Sequence, residues 1–249
     1  MRKTILIAAT LGLLATSAGA KTLKVEGVSG ADDRKPLFIT TAFWQATGKI
    51  QIAGFSKLES CTGVLVAPDL VITAAHCLTD PVKNALVKPS RINFLPGLNK
   101  SNSAGHATGA CIRLLGDVIP HQLKHAAKQF ITDAAVIKLA KPMKPAPVAL
   151  AADTALAAGS LVTHAGYGRD RRYLLSVHSQ CKVMGADGDL ELTDCDTTFG
   201  QSGGPVLIDD AGTLKLAGIM VGFAEGQGSL ALNVKAWRKL LDEGVCQPE

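Results

Sequence analysis

The hydrophobic positions of this chain fall into short β-forming runs, separated by turn residues, from position 37 onward. Runs of this length and spacing are typical of an all-β barrel or sandwich. In the first half, the predicted strands cover residues 37–43, 49–55, 62–66, 70–73, 91–95 and 110–115. In the second half, they cover residues 161–166, 174–183, 190–195, 206–208, 215–221 and 229–234. After the last run, Asn233 is a candidate N-cap for a short closing helix whose apolar face holds Val234, Trp237 and Leu241.

The first 20 residues have the pattern of a secretory signal peptide. Arg2 and Lys3 form a basic start, residues 5–14 are apolar, and Ala18-Gly19-Ala20 fits the small-x-small motif before a cleavage site. A membrane anchor is the alternative, but the apolar stretch is shorter than the ~20 residues that span a bilayer. We therefore expect an exported protein, secreted or periplasmic, with no membrane partner. Residues 21–36 are predicted to be a polar N-terminal arm or a propeptide.

Composition and charge narrow the classes of partner and cofactor. The formal net charge is +5 and the basic residues are scattered, which indicates no nucleic-acid partner. The six cysteines of an exported chain indicate disulfide bonds. The sequence has no CxxC or CxxxH spacing, so we predict no metal site, and no motif indicates a cofactor.

A glycine-rich stretch around Ser202 is the strongest candidate for chemistry. Gly200, Gly203 and Gly204 surround a single hydroxyl, which allows a sharp turn and a close approach of substrate. Such a turn can aim successive backbone N–H groups at a developing oxyanion. The alternative is an ordinary glycine-rich turn between strands. A serine nucleophile also needs a base, and the base needs a group that orients it.

His76 is the candidate base. It follows the predicted hairpin of residues 64–66 and 70–72, among small residues that leave room for a partner. Cys61 precedes this hairpin and Cys77 follows it, so a disulfide between them would fix the backbone at His76. The alternative is a histidine with only a structural role.

Three motifs together resemble the trypsin-like serine peptidases, which have the chymotrypsin fold. They are Thr-Ala-Ala-His-Cys at 73–77, Asp-Ala-Ala-Val-Ile at 133–137 and Gly-Gln-Ser-Gly-Gly-Pro at 200–205. The order His76, Asp133, Ser202 is also the order in that family. The resemblance extends over residues 37–237, nearly all of the mature chain.

The resemblance implies two packed antiparallel six-stranded β-barrels with a short C-terminal helix. The predicted boundaries are an N-terminal barrel at 37–140, a proline-rich linker at 141–154 and a C-terminal barrel with the helix at 155–249. The active-site cleft would lie between the barrels. The implied substrate is a protein or peptide, and we expect a monomer.

The resemblance also assigns roles to the residues. Ser202 would be the nucleophile, His76 the general base and acid, and Asp133 the group that orients the imidazole. The backbone N–H groups of Gly200 and Ser202 would form the oxyanion hole.

Two departures point to a bacterial branch that includes the glutamyl endopeptidases. Gln201 stands where the digestive enzymes have an Asp that pairs with a new N-terminus, and no Ile-Val-Gly-Gly start is present. Thr198 stands where the family has a cysteine, and the Asp32-Asp33-Arg34 cluster is similar to that branch.

The specificity pocket is predicted to involve Asp196, Met220 and Gly222. Asp196 lies six positions before Ser202, where trypsin has the acidic pocket floor that favours Arg or Lys. The alternative, which we favour, is a loop carboxylate that satisfies nearby backbone N–H groups. Met220 follows Gly218-Ile219, where the related branch uses a histidine for glutamate specificity.

The remaining cysteines complete the predicted disulfide framework. A three-residue loop at 187–189 would place Ala186 opposite Leu190 and Cys181 opposite Cys195, which permits a cross-strand bond. Cys111 and Cys246 then pair by elimination.

The sequence leaves two function classes open. The first is an active secreted serine endopeptidase, favoured because all three triad residues are present. The second is an exported non-catalytic binding module on the same fold. An esterase that uses the same triad is a further enzymatic alternative.

Overall fold

The computed structural model describes residues 25–53, 60–80, 83, 85–116, 127–224 and 226–242, without the side chains of 127–129. Fifteen β-strands lie in these ranges. Those in the first half are β1 (Lys35–Leu37), β2 (Thr47–Ile52), β3 (Ser60–Ala67), β4 (Leu70–Thr73), β5 (Thr79–Asp80), β6 (Ala85–Leu86), β7 (Ile92–Pro96), β8 (Ala107–Leu114) and β9 (Ala135–Leu139). Those in the second half are β10 (Leu161–Gly166), β11 (Leu175–Asp187), β12 (Leu190–Thr193), β13 (Pro205–Asp210), β14 (Thr213–Ala224) and β15 (Gly228–Asn233).

The strands form two closed antiparallel barrels of six strands each. The first barrel has the order β2-β3-β4-β9-β8-β7. In the second, β11-β10-β13-β14-β15-β12 closes through an additional pairing between β11 and β12. The predicted fold class is therefore confirmed. No helix in the described part of the chain is long and apolar enough to cross a membrane.

A shared apolar core joins the two barrels to the closing helical turns. Ile50, Ile72 and Ile137 of the first barrel belong to the same buried cluster as Leu232 and Trp237 from the end of the chain. Burying such side chains contributes about 1.5–3 kcal/mol each. This core holds the barrels together and fixes the position of the loops between them.

The C-terminal helix is present as two short segments, α1 (Val234–Trp237) and α2 (Lys239–Asp242). The predicted cap is confirmed, because the Asn233 side chain accepts a hydrogen bond from Lys235 N–H at 2.9 Å. Val234 and Trp237 are buried as predicted, but the last buried position of this face is Leu240, whereas Leu241 is only partly buried.

The predicted strand at 37–43 is wrong. The chain forms only β1 there, and Phe43–Ala46 is a 3-10 helix. Ile39, Thr40 and Thr41 have β-forming side chains, but no neighbouring strand pairs with them. β1 itself pairs with β11, so the end of the N-terminal arm lies on the second barrel.

Two predicted disulfides are present. Cys61 bonds to Cys77 with a Cα–Cα distance of 6.0 Å, and Cys181 bonds to Cys195 with a distance of 5.1 Å. Cys111 is also disulfide-bonded, whereas its predicted partner Cys246 lies outside the described residues. The predicted signal peptide at 1–20 lies outside them as well.

The register predicted for the hairpin at 187–189 is wrong by one residue near the turn. Asp187 pairs with Leu190, so the loop has two residues rather than three, and Ala186 lies opposite Glu191 instead of Leu190. A β-bulge between Val183 and Gly185 then shifts the register by one residue. This shift restores the alignment that brings the two cysteines together.

Glu191 is a buried carboxyl group on β12 with an incomplete set of hydrogen bonds. Its Oε1 accepts from Leu156 N–H at 2.9 Å and from Asn233 Nδ2 at 2.7 Å. Its Oε2 has no partner among the described residues. Burial raises the pKa of Glu191 above its usual range, although these two hydrogen bonds lower it in part.

We expect Glu191→Gln to make the stability less dependent on pH. A raised pKa means that the folded state favours the protonated acid, so this contribution is present at low pH and lost as the pH rises through the folded-state value. The unfolding free energy of the variant minus that of the wild type should therefore be larger at pH 7 than at pH 4.5. Urea titrations at both values measure it, and a difference that grows on acidification would contradict the assignment.

Candidate active site

His76 lies just after the β3–β4 hairpin, in a short 3-10 helix (Ala75–Leu78). The Cys61–Cys77 disulfide ties this helix to β3, the strand on the other side of the hairpin. The imidazole remains partly accessible, with 26% of its side chain exposed. The fold therefore holds the backbone at His76 while leaving one edge of the ring open.

Asp133 is positioned beside His76 by the pairing of β4 with β9. Thr73 and Ala135 are partners in this pairing. Thr73 is three residues before His76, and Ala135 is two residues after Asp133. Asp133 Oδ2 lies 2.7 Å from His76 Nδ1, and Oδ1 accepts the His76 backbone N–H at 2.9 Å. A carboxylate at this distance requires Nδ1 to carry the proton, which makes Nε2 the nitrogen that can act as a proton acceptor.

Ser202, the nucleophile predicted from the sequence, belongs to residues 196–204 of the second barrel, which we call the nucleophile loop after this prediction. Thr62 of β3 donates its N–H to Ser202 O at 2.9 Å and its hydroxyl to Gly200 O at 3.0 Å. Thr62 is adjacent to the disulfide that holds His76. These contacts fasten the loop to the part of the first barrel that carries the imidazole.

Gly203 makes the closest approach of this loop to the first barrel. It has φ of +78°, and a Cβ there would lie 2.2 Å from Thr62 O and 2.9 Å from Ala74 N. Only glycine fits this conformation and this spacing. Since Ala74 is two residues before His76, the loop meets the first barrel close to the segment that carries the imidazole.

Like that of Phe199, the N–H groups of Gly200 and Ser202 have no protein acceptor among the described residues. The peptide units that carry them are held from the carbonyl side. Phe199 O accepts from Arg169 N–H at 2.7 Å, and Gln201 O accepts from Gly204 N–H at 3.0 Å. Because N–H and C=O point in opposite directions in a trans peptide, both donors face away from these contacts. Such a pair can bind an anionic oxygen.

Asp196 is buried and does not offer an open carboxylate to a substrate. Its Oδ1 accepts Ser29 N–H at 3.0 Å and its Oδ2 accepts Asp33 N–H at 2.9 Å. Both donors come from the N-terminal arm, whose described part is residues 25–36. This arrangement matches the alternative in which the carboxylate satisfies loop N–H groups.

The other two candidate pocket residues have different surroundings. The Met220 side chain is buried in a cluster with Cys181 and Cys195, so it packs in the barrel core. Gly222 lies against the Phe130 ring, and a Cβ at Gly222 would be 2.9 Å from the nearest ring atom.

A histidine that the sequence analysis did not single out lies behind the nucleophile loop. His164 on β10 is fully buried, and its Nδ1 donates to Pro205 O at 3.2 Å. Burial lowers the pKa of His164 to about 3, so the ring is neutral. Its position at alternating spacing inside an apolar strand is the sequence signal for this buried placement.

Within the described ranges, one cluster has metal-ligating residue types, namely Cys61, His76 and Cys77. Both sulfurs belong to the same disulfide, so they are not thiolates and this cluster is not a metal site.

The comparisons with known proteins agree with this geometry. A family model described as a trypsin-like peptidase domain matches residues 61–219, so the chain belongs to the trypsin-like peptidase family. A protein from Saccharopolyspora erythraea named "Trypsin" is 28% identical over 183 residues, which cover 65% of this chain and 74% of that protein. A solved structure of a Glu endopeptidase in complex with MPD has the same fold. Its TM-score is 0.70 at 22% identity, over 86% of this chain and 97% of that one.

We expect Asp196→Asn to reduce stability rather than change substrate preference. The amide NH₂ cannot accept one of the two backbone N–H groups, and an unsatisfied buried donor costs about 1–3 kcal/mol. Urea denaturation measures the loss, with Asp187→Asn in the exposed turn as the matched control. Unchanged stability together with altered preference at the residue before the scissile bond would instead identify Asp196 as a pocket floor.

Proposed function

We propose that this protein is an exported serine endopeptidase that hydrolyses peptide bonds through Ser202, His76 and Asp133. The observation that carries the proposal is the Asp133–His76 hydrogen bond of 2.7 Å, together with a serine loop in which the N–H groups of Gly200 and Ser202 have no acceptor among the described residues. Membership of the trypsin-like peptidase family supports the same chemistry. A signal peptide at residues 1–20 would export the chain, and the disulfides are typical of an oxidising compartment.

The proposed reaction proceeds in two halves through an acyl-enzyme. Ser202 Oγ attacks the carbonyl carbon of the scissile bond, and His76 Nε2 takes the hydroxyl proton. The carbonyl oxygen becomes anionic and is bound by the N–H groups of Gly200 and Ser202. When the C–N bond breaks, the imidazolium gives its proton to the leaving amine. Water then repeats the sequence on the acyl-enzyme, releases the acid and restores Ser202.

Asp133 has the role of orienting and stabilising the imidazole. Its carboxylate is fully buried, and burial of an anion is tolerated only when the anion is hydrogen-bonded. Here both oxygens bind His76, one at the backbone and one at the ring. When the ring becomes an imidazolium, the pair becomes a partly buried ion pair.

The first prediction is covalent labelling of Ser202 by a fluorophosphonate. Ser202 Oγ forms a bond to phosphorus, fluoride leaves, and His76 accepts the hydroxyl proton. We expect one adduct by intact mass on the mature protein, mapped to Ser202. Ser202→Ala and His76→Ala should each abolish it.

The same experiment separates the alternatives. An unlabelled, folded protein would contradict the proposal and favour a binding module. A labelled protein that turns over a peptide ester but not the corresponding peptide amide would favour an esterase.

A second prediction concerns Asp133→Asn. The amide no longer holds the imidazole with Nε2 as acceptor, so we expect kcat to fall by roughly 10⁴ with KM little changed. Steady-state kinetics on a peptide substrate measure the effect, and circular dichroism checks folding. A fall below tenfold would count against the assigned role of Asp133.

A further inference from the structure

Arg34 is a fully buried arginine in the N-terminal arm, with its side chain 0% exposed. Arginine is almost never buried unless it is paired. Its Nε and one terminal nitrogen bind Asp32 at 2.9 and 3.0 Å, and that same nitrogen binds Asp170 at 2.9 Å. The other terminal nitrogen, NH1, lies 3.0 Å from Gln201 Oε1 and 3.4 Å from Asp170 Oδ1. The guanidinium thus connects the arm to the residue immediately before Ser202.

The charges around Arg34 balance without any contribution from Gln201. Arg171 donates to Asp32 at 2.8 Å, which completes a cluster of two cations and two anions formed by Arg34, Arg171, Asp32 and Asp170. A carboxylate at position 201 would add an unbalanced buried negative charge, which is costly. A neutral amide can accept the remaining guanidinium N–H without this cost. The structure thereby accounts for glutamine at a position where an acid would require a further cation.

Gln201 is held at both its side chain and its main chain. Its Oε1 also accepts Thr198 N–H at 3.0 Å, and its own N–H donates to Thr198 O at 3.0 Å. Its carbonyl accepts Gly204 N–H, which is the contact that orients the Ser202 N–H. A Cβ at Gly166 would lie 2.8 Å from the Gln201 Cβ, so the residue has little room to shift. A displacement of the Gln201 side chain would therefore move the peptide unit that carries the unpaired N–H of Ser202.

The arm is fixed independently at several points. β1 follows Arg34 directly and pairs with β11, and Arg171 donates to Arg34 O at 2.9 Å. Further along the nucleophile loop, Gly27 O accepts Thr197 N–H at 3.1 Å. Arg34 is thus presented by an anchored segment. Because the contact comes from a side chain inside the chain, it does not require a new N-terminus.

We propose that Arg34 is a positioning residue for catalysis. Through Gln201 it holds the nucleophile loop so that the N–H groups of Gly200 and Ser202 converge on the substrate carbonyl oxygen. This inference rests on the proposed serine peptidase function. It also makes the arm a permanent part of the active enzyme rather than a propeptide to be removed.

The test compares four single variants of the mature protein and the double variant that combines Arg34→Met with Gln201→Met. Arg34→Met removes the guanidinium, and Arg34→Lys keeps the charge but cannot bind Asp32, Asp170 and Gln201 together. Gln201→Met leaves Arg34 with both aspartates and removes its contact to the loop, together with the contacts of the same amide to Thr198 N–H and Gly166 O. Arg171→Met is the matched control, because it weakens the same cluster without touching Gln201.

We expect Arg34→Met and Gln201→Met to lower kcat and the rate of fluorophosphonate labelling by roughly 10²–10³, the loss typical of one oxyanion donor. KM should change little, and Arg34→Lys should lie between Arg34→Met and the wild type. The double variant should lose no more than Gln201→Met alone, because Gln201→Met already removes the coupling to Arg34. Arg171→Met should stay close to the wild type in kcat. Hydrogen exchange of residues 196–204 should be faster than in the wild type for Arg34→Met and Gln201→Met, intermediate for Arg34→Lys and unchanged for Arg171→Met.

The outcomes separate this inference from the proposed function. A wild-type protein that is not labelled would overturn the serine peptidase assignment, and the role of Arg34 with it. Suppose instead that the wild type is labelled, but Gln201→Met and Arg34→Lys have the same labelling rate and the same loop exchange as the wild type. This result would overturn the role of Arg34 alone. These two variants keep the cation buried among its aspartates, so they test the inference even if Arg34→Met does not fold.

Discussion

The hydrogen bond from Thr62 N–H to Ser202 O is the contact on which the candidate site depends. It joins a loop of the second barrel to β3 of the first at 2.9 Å, next to the disulfide that holds His76. The serine and the histidine belong to different barrels, so their relative position is only as accurate as this junction. Gly203 makes the junction possible, since any side chain there would collide with Thr62 and Ala74. The shared apolar core supplies cohesion between the barrels, while this contact supplies the alignment.

The loop is also held from the opposite side by the N-terminal arm. Asp196 binds two N–H groups of the arm, and Gln201 binds Arg34. The arm therefore joins the second barrel both through β1 and through the residues that precede the serine. A loop fixed from two directions can keep the N–H groups of Gly200 and Ser202 without an internal acceptor, because the peptide units that carry them cannot rotate to find one. Such preorganisation is what stabilises a developing charge without a reorganisation cost.

Local sequence patterns predicted the parts of the fold that local forces determine. The strands at Leu70–Thr73 and Leu161–Gly166 have the bounds expected from their apolar runs. The Asp187 turn was misjudged because register depends on a bulge at Val183 and Gly185 that composition does not reveal.

Local motifs in the sequence predicted the residues of the candidate site but not their surroundings. The order of His76, Asp133 and Ser202 indicated which side chains to examine. The burial of Arg34 could not be foreseen, because its partners at 170 and 201 are more than 130 residues away. The surroundings of Asp196 and Met220 could not be foreseen for the same reason, since tertiary packing determines them.

The measurement that tests the central claim most directly is a crystal structure of the mature protein after fluorophosphonate treatment. The covalent phosphonate on Ser202 mimics the tetrahedral intermediate and places an oxygen where the oxyanion would form. We predict that this oxygen lies about 2.7–3.1 Å from the nitrogens of both Gly200 and Ser202. A phosphonyl oxygen directed to solvent, or a Ser202 that remains unmodified beside an intact His76–Asp133 pair, would contradict the account.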